Sequence, residues 1–240
     1  MIDLFKEQNR IKDGLVGAGI AADEDTCKKL AVYMDGVLEK NRDINLTAIT
    51  DEERFVREHI VDSASILRLA ELSDVRTVCD VGTGAGFPGV VIAALRPECQ
   101  ITLIDSLAKR LKVIEELAGK AGINNISLVH ARAEDAGHMP ELREAFDMVT
   151  ARAVASLPVL AEYCVPLVRK GGSFIAYKTG SSLGEVEESK RAANILGVGD
   201  MTILDAGVPG TDHVFVVMKK AGKTPGKYPR KAGDPTRKPL

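Results

Sequence analysis

A glycine-rich turn follows a short apolar run in the first half of the chain, and its spacing is suited to ligand binding. It reads Asp80-Val81-Gly82-Thr83-Gly84-Ala85-Gly86. Glycines let the backbone approach a ligand closely and adopt positive φ without steric cost. A helix that begins just after such a turn offers unpaired backbone amides at its N-terminus. The turn therefore predicts a binding site for a nucleotide-type cofactor.

Two classes of cofactor fit this turn. The stretch Gly84 to Gly89 satisfies G-x-G-x-x-G, a dinucleotide pattern that is weak when taken alone. A dinucleotide would place its pyrophosphate on the helix amides. Asp80, two residues before Gly82, instead completes the D-x-G-x-G-x-G pattern that is typical of class I methyltransferases. Their cofactor, S-adenosylmethionine, has no phosphate but has a sulfonium cation, which an acidic turn suits better, so we favour this cofactor.

Further candidates stand at the ends of the predicted strands. Asp105 closes the second strand and can accept hydrogen bonds from both ribose hydroxyls of either cofactor. Ala133 and Glu134 follow the third strand, where they could meet the adenine, although Glu134 could equally be a surface acid at a helix start. Arg152 follows the fourth strand, and this place favours a positioning role over a surface salt bridge. Lys178, after the fifth strand, is a weaker positioning candidate and could face solvent.

The elements that must position these residues alternate between strands and helices. Strands are predicted over 77–81, 101–104, 126–129, 146–150, 173–177, 201–204 and 213–218. Pro88 suits a first helical turn, Ser106 can cap the next helix, and Gly122 ends it. A further helix is predicted around 157–168. Such alternation predicts a mostly parallel sheet, and the last two strands, joined without room for a helix, should pair antiparallel at one edge.

The first seventy residues are predicted to be helical. From Asp25 to Lys40 the apolar residues recur at i, i+3, i+4, i+7 and i+8. Thr50-Asp51-Glu52-Glu53 resembles a capping box that opens a helix through His59 to Leu69. On this helix we interpret His59 and Asp62 as a structural pair. We expect a helical extension over 1–72 packed on the core, a methyltransferase core over 73–220 and a tail over 221–240.

The charge is distributed unevenly along the chain. The net charge is −2, yet eight basic residues and one acid, Asp234, lie from Lys219 onward. A basic tail on an acidic body suits a polyanionic partner, and a solvated, disordered tail rich in lysine, proline and glycine fits the same composition. Both interpretations stay open.

The rest of the composition indicates a cytoplasmic enzyme without a metal site. The four cysteines form no Cys-x-x-Cys pair, so we expect reduced thiols and no zinc. We find neither the apolar stretch of a secretory signal nor a run of membrane-spanning length. We therefore expect no membrane association.

Several blocks together resemble the ribosomal RNA small-subunit methyltransferase G family (RsmG, or GidB). The resemblance covers nearly the whole chain, and Phe87-Pro88-Gly89 after the turn is more specific than the glycines. The other similar blocks are Asn45-Leu46-Thr47, His59-Ile60-Val61-Asp62-Ser63, Asp105-Ser106-Leu107, Lys109-Arg110, Ala133-Glu134, Ala151-Arg152-Ala153, Tyr228-Pro229-Arg230-Lys231-Ala232-Gly233 and Lys238-Pro239-Leu240. One departure is Lys178-Thr179-Gly180, where family members commonly have lysine followed directly by glycine.

The resemblance implies a fold, a reaction and a set of contacts. The fold is a class I, Rossmann-like α/β methyltransferase with a seven-stranded, mostly parallel sheet. The implied reaction is methylation of N7 of one guanosine in the decoding-region loop of 16S ribosomal RNA. Separately, we expect a monomer. The family's cofactor contacts carry over to Gly82, Phe87, Ala133, Glu134 and Arg152. Gly84 and Gly86 are added from the turn, and Asp105 from the ribose argument.

Methylation at guanine N7 would set modest chemical demands. N7 bears a lone pair and no proton, so the nucleophile needs no general base. In agreement, we find no convincing histidine–carboxylate pair at the strand ends. Catalysis would then rest on alignment of the reacting atoms, worth up to roughly 7 to 11 kcal/mol in favourable systems. Methylation of another RNA position or of a small molecule, or a non-catalytic RNA-binding assembly role, are the alternatives.

Overall fold

The computed structural model describes residues 2–69, 74–182 and 184–240. The helices are α1 (Leu4–Gly17), α2 (Glu24–Lys40), α3 (Glu52–Phe55), α4 (Asp62–Ser65), α5 (Gly89–Leu95), α6 (Ala108–Ala121), α7 (Ala133–Ala136), α8 (Leu157–Cys164), α9 (Gly184–Leu196) and α10 (Asp234–Arg237). The strands are β1 (Thr77–Val81), β2 (Gln100–Asp105), β3 (Ile126–His130), β4 (Phe146–Arg152), β5 (Val168–Thr179), β6 (Val198–Asp205) and β7 (His213–Lys220). A π-helical turn, Val56–Val61, joins α3 to α4.

The seven strands form a single sheet in the order β3-β2-β1-β4-β5-β7-β6. Strands β1 to β5 pair in parallel, and β7 pairs antiparallel with both β5 and β6. The predicted seven-stranded α/β fold with its antiparallel edge hairpin is therefore confirmed. The strand order reverses at β1, so the carboxyl ends of β1, β2 and β4 border the crevice where ligands bind in such sheets.

The N-terminal helices belong to the same core as the sheet. One continuous apolar cluster joins Ile11 of α1 and Tyr33 of α2 to Val78 of β1 and Ile101 of β2. Gly36 of α2 allows close packing, because a Cβ there would lie 3.3 Å from Cγ of Leu117 in α6. The helices over the sheet can thus fix side chains at its carboxyl edge. The predicted boundary at residues 72–73 lies outside the described residues.

Some predicted helix ends differ from the structure for local reasons. Asp51, one residue after Thr50, caps α3 by accepting a hydrogen bond from the amide of Arg54. Pro88 lies at the N-cap of α5 and not inside its first turn. Ser106 does not cap α6, because the helix begins one residue later, with Leu107 at the N-cap and no side-chain capping hydrogen bond.

Other differences concern the second half of the chain. Helix α8 ends at Cys164 and continues as one 3₁₀ turn, earlier than predicted. Helix α9 was not predicted. The tail is ordered and packs on the body, so the disordered alternative is wrong. Across the ranges that the structure describes, no helix has the length and apolar character that crossing a membrane requires.

Candidate functional site

The glycine turn follows β1 with the backbone conformations that its sequence predicts. Gly82, Gly84 and Gly86 have φ angles of 70°, 60° and 90°, which residues other than glycine rarely adopt. A Cβ on Gly82 would also lie 2.6 Å from Cγ2 of Val154. Gly82 and Gly84 line the crevice, whereas Gly86 packs against the hydroxyl of Tyr33 on α2. The turn therefore has a ligand-facing half and a structural half.

The acidic residue of the turn is directed into the protein. The Asp80 carboxylate is fully buried and accepts hydrogen bonds from Oγ1 of Thr83 at 2.7 Å, Oγ1 of Thr150 at 3.1 Å and the amide of Gly89 at 3.1 Å. Burial raises the pKa of Asp80, although these hydrogen bonds oppose the shift. Asp80 thus shapes the turn and ties it to α5 and β4. Asp80 is not among the residues that line the crevice.

Two clefts meet at this turn. The wide cleft has a volume of about 540 Å³ and the narrow cleft about 330 Å³. Both are lined by Gly82, Arg110 and Ala153, so they form adjoining parts of one binding region. The wide cleft extends toward the N-terminal helices and the narrow cleft toward β2, β3 and α7.

The narrow cleft brings together three predicted cofactor residues besides Gly82. Asp105, Ala133 and Glu134 all line it, as predicted from the ends of β2 and β3. Oδ2 of Asp105 accepts from the amide of Gly84 at 3.0 Å, and Nη1 of Arg110 lies 3.7 Å from the same oxygen. Because a carboxylate has about four acceptor sites, Asp105 retains capacity for ribose hydroxyls. Glu134 is buried, and its Oε1 accepts from the amide of Gly233 at 3.1 Å.

Arg152 is the hub of the wide cleft. Its Nη1 donates to Oδ2 of Asp62 at 2.8 Å and to the carbonyl of Glu58 at 2.9 Å. Its Nη2 lies 2.9 Å from Nδ1 of His59, and its guanidinium lies 5.8 Å from the centroid of the Phe87 ring. The planar guanidinium is thereby held by residues of the π-helical turn and α4 in the N-terminal extension.

His59 is held as a neutral ring. It stacks on Phe87 with ring centroids 4.7 Å apart and an interplanar angle of 1°. Burial, with the charge of Arg152, lowers the pKa of His59 to about 3. Because Arg152 donates to Nδ1, the proton lies on Nε2, which donates to Oγ1 of Thr47 at 2.7 Å. We had expected His59 and Asp62 to pair with each other. Instead, each of them binds Arg152.

A histidine–carboxylate pair does occur beside the wide cleft, contrary to the sequence-based expectation. Nδ1 of His213, at the start of β7, lies 2.6 Å from Oδ1 of Asp62. This hydrogen bond raises the pKa of His213. Asp62 also accepts a hydrogen bond from Arg152, so the His213–Asp62 pair helps to hold the guanidinium in place. The two residues are 151 positions apart, so no local pattern could have indicated them.

Lys178 lines the wide cleft but is already engaged by the protein. Its Nζ donates to the carbonyl of Ala155 at 3.0 Å and to Oε2 of Glu185 at 2.7 Å. Oε2 of Glu185 also accepts from the amide of Leu157 at 2.5 Å. Lys178 thus joins the segment after β4 to α9 and is not a free solvent-facing cation. Sequence reasoning also gave no role to Arg110, whose place in a family block was its only signal.

The residues present fit S-adenosylmethionine. The narrow cleft offers the carboxylate of Asp105 for a ribose and Ala133 with Glu134 for an adenine, and Gly82 lies where the two clefts meet. Sheet order, antiparallel hairpin and glycine turn are those of the class I S-adenosylmethionine-dependent methyltransferases. The protein is a member of this class.

Comparison with known proteins narrows the class to one family. Residues 26–213 match the model of GidB, rRNA small subunit methyltransferase G, and the chain belongs to this family. A relative named ribosomal RNA small subunit methyltransferase G from Acetivibrio thermocellus is 45% identical over 98% of each chain. The protein of the same name from Clostridium perfringens is 42% identical over 96% of this chain and 97% of the relative.

The fold is shared more widely than the sequence. A solved SAM-dependent O-methyltransferase from Thermotoga maritima superposes with a TM-score of 0.54 and 14% identity, covering 78% of this chain and 72% of that one. At this level of identity the likeness concerns the fold alone.

Proposed function

We propose that this protein transfers a methyl group from S-adenosylmethionine to N7 of one guanosine in the decoding-region loop of 16S ribosomal RNA. The observation that carries the proposal is the junction of the two clefts at Gly82, within a member of this family. One cleft has the groups for an adenosine, and the other has room for a methionine end and a purine. The names of the relatives support ribosomal RNA as the substrate class.

The cofactor would be held by residues of both clefts. Asp105 would accept the ribose hydroxyls, and Ala133 and Glu134 would contact the adenine. Gly82, Gly84 and Phe87 line the wide cleft at the turn. When bound, S-adenosylmethionine supplies an electrophilic methyl group on a sulfonium.

Arg152 and its partners would act by holding the acceptor geometry. The guanidinium makes hydrogen bonds to groups on α4 and the π-helical turn, and His59 covers Phe87. Neutral His59 adds no positive charge beside a cationic cofactor. These groups fix the walls of the wide cleft, so that an attacking N7 is aligned without removal of any proton.

The positive charge of the tail supports RNA as the binding partner. Lys223, Lys227, Lys231, Arg237 and Lys238 have exposed side chains on a segment whose backbone is attached to the body. Exposed cations that follow a fixed backbone suit the phosphates of RNA. A ribosomal substrate would place the enzyme in the cytoplasm, and we propose that it acts as a monomer.

The proposed reaction is tested by incubating the protein with S-adenosylmethionine labelled in its methyl group and purified small ribosomal subunits. We expect one labelled guanosine, whose position is mapped by N7-specific strand cleavage. Parallel reactions with naked 16S RNA and with a metabolite mixture test the substrate form. Label at another atom or in a small molecule would overturn the assignment. Absence of transfer despite cofactor binding would favour an assembly factor that keeps the fold.

A further inference from the structure

The part of the narrow cleft that carries Ala133 and Glu134 is a single helical turn. Helix α7 spans only Ala133–Ala136, and its N-cap residue Arg132 makes no side-chain capping hydrogen bond. One turn of helix is not stable by itself in water. Its position must therefore be set by whatever packs against it.

The tail packs against α7 at both ends. At the start, the amide of Gly233 donates to Oε1 of Glu134 at 3.1 Å. At the other end, the carbonyl of Pro229 accepts from Nε2 of His138 at 2.7 Å. Gly137 allows this approach, because a Cβ there would lie 2.5 Å from Cγ of Pro229.

A second residue of the narrow cleft is bound by the tail. Tyr163 of α8 lines the cleft, and its hydroxyl lies 3.1 Å from Oγ1 of Thr236 on α10. Pro235 beside it is buried. The tail therefore contacts two side chains that line the narrow cleft, Glu134 and Tyr163.

Strong polar contacts fix the tail in this place. Arg230 binds the fully buried Glu162 through Nε at 2.9 Å and Nη2 at 2.6 Å. The guanidinium of Arg143 donates to the carbonyls of Tyr228 at 2.8 Å and Thr224 at 3.0 Å. Charge-assisted, two-pronged contacts of this kind fix direction as well as distance.

We propose that the tail is a positioning element of the cofactor site, in which the amide of Gly233 orients the carboxylate of Glu134 and Pro229 fixes the end of α7. This inference rests on the proposed binding of S-adenosylmethionine. The hydrogen bond to Oε1 of Glu134 restricts rotation of the carboxylate that would contact the adenine. Cofactor binding and tail docking then stabilise each other, because linkage between two equilibria is reciprocal.

Two variants separate the tail from α7 by different means. Gly137→Ala suits the local φ of −63° but collides with Pro229. Gly233→Pro removes the donating amide and cannot adopt the observed φ of 84°. Gly119→Ala in α6 is the control, because a Cβ there meets nothing within 4 Å.

Calorimetry with S-adenosylmethionine measures the effect on the folded full-length proteins, with circular dichroism as the check on folding. We expect both variants to raise Kd about tenfold, as for one lost hydrogen bond to a charged group, and Gly119→Ala to leave it unchanged. In methyl transfer to small subunits, KM for the cofactor should rise by a similar factor while kcat changes less than threefold. Gly233→Asn keeps the amide and tolerates positive φ, so it should restore most of the affinity lost in Gly233→Pro.

Hydrogen exchange supplies a readout that a merely structural tail would not change. Addition of S-adenosylhomocysteine should slow amide exchange in residues 224–237 of the wild type, and less so in Gly137→Ala. Wild-type affinity in both folded variants, or unchanged exchange in the tail on ligand binding, would overturn the inference. Failure of the wild-type protein itself to bind S-adenosylmethionine would instead overturn the proposed function.

Discussion

Asp105 combines a structural and a proposed binding role in one carboxylate. Its oxygens accept from the amides of Gly84 and Leu107, so the end of β2 holds the glycine turn in place. Each carboxylate oxygen of Asp105 can still accept a further hydrogen bond. A residue with both tasks should affect cofactor affinity strongly and global folding only modestly.

Asp105→Ala should therefore weaken binding of S-adenosylmethionine by more than about tenfold, because hydrogen bonds to a charged group are lost. Isothermal calorimetry measures the affinity, and a thermal melt checks the fold. Asp200→Ala, at an exposed position of β6, is a control of equal charge change. Near-native affinity in Asp105→Ala would remove this residue from the site.

Arg152 should matter more for turnover than for folding. In Arg152→Lys a single ammonium cannot reproduce bonds to Asp62, Glu58 and His59 in one plane. We expect methyl transfer to small subunits to fall by about 100-fold, as for misplacement of reacting groups by about 1 Å. The melting temperature should change little, since Asp62 keeps His213 as a partner. Unchanged single-turnover transfer would contradict the role of Arg152.

At the scale of elements, the tail presents two different faces. Its inner side contacts α7 and α8, whereas its lysines point outward. The two faces can be tested separately by mutation. Changes to the outer lysines should leave the narrow cleft intact.

Lys231→Gln combined with Lys238→Gln should flatten the salt dependence of RNA binding. Each phosphate contact contributes about 0.7 to the slope of log K against log salt for single strands, so the slope should fall by up to about 1.4. Filter binding to 16S RNA from low to moderate salt gives the slope. Lys6→Gln combined with Lys28→Gln in α1 and α2 is the matched control. Equal slopes for the two double variants would exclude the tail from the RNA interface.

Strands and strand-end residues followed from the sequence because their signals are local. An apolar run followed by a glycine or an acid marks both the end of β1 and the end of β2. Helix α9 was missed because its buried face consists largely of Ser189, Ala192 and Ala193, which give a weak apolar period. Cap propensity favours Ser106, but α6 begins after Leu107 and has no side-chain cap, so propensity alone places the helix start one residue too early.

The polar contacts of the site could not be predicted, since they join distant parts of the chain. Asp62 and His213 meet only after β7 has paired antiparallel with β5 in the sheet. The order of the tail depends on Arg143 and Glu162, which composition does not connect to it. Lysine, proline and glycine predict disorder only when no such partners exist.

At the scale of the whole molecule, Asp147 joins the amino-terminal ends of β1, β4 and β5. Its Oδ2 accepts from the amides of Arg76 and Thr77 at 2.9 and 2.8 Å, and Arg169 also binds it. Burial opposes the charged form, but these hydrogen bonds prevail and lower the pKa of Asp147 from 3.8 to about 2. The ionised carboxylate therefore stabilises the fold above the unfolded pKa, and this stability is lost as pH falls toward 2.

Asp147→Asn should lower the free energy of unfolding at pH 7 by about 1 to 2 kcal/mol. The difference between the variant and the wild type should shrink between pH 4 and pH 2. Urea denaturation at several pH values measures it. Other carboxylates are common to both proteins, so the comparison isolates Asp147. A difference that is independent of pH would show that its charge contributes nothing.

The π-helical turn between α3 and α4 has a consequence for how this chain can change over time. Residues Val56–Val61 form a turn that is wider than an α-helical turn. This geometry places Glu58, His59 and the following Asp62 against Arg152. Loss of a single residue from this stretch would rotate one side of the helix against the other by about 100°. Among descendants of this protein, the length of this segment should therefore stay fixed.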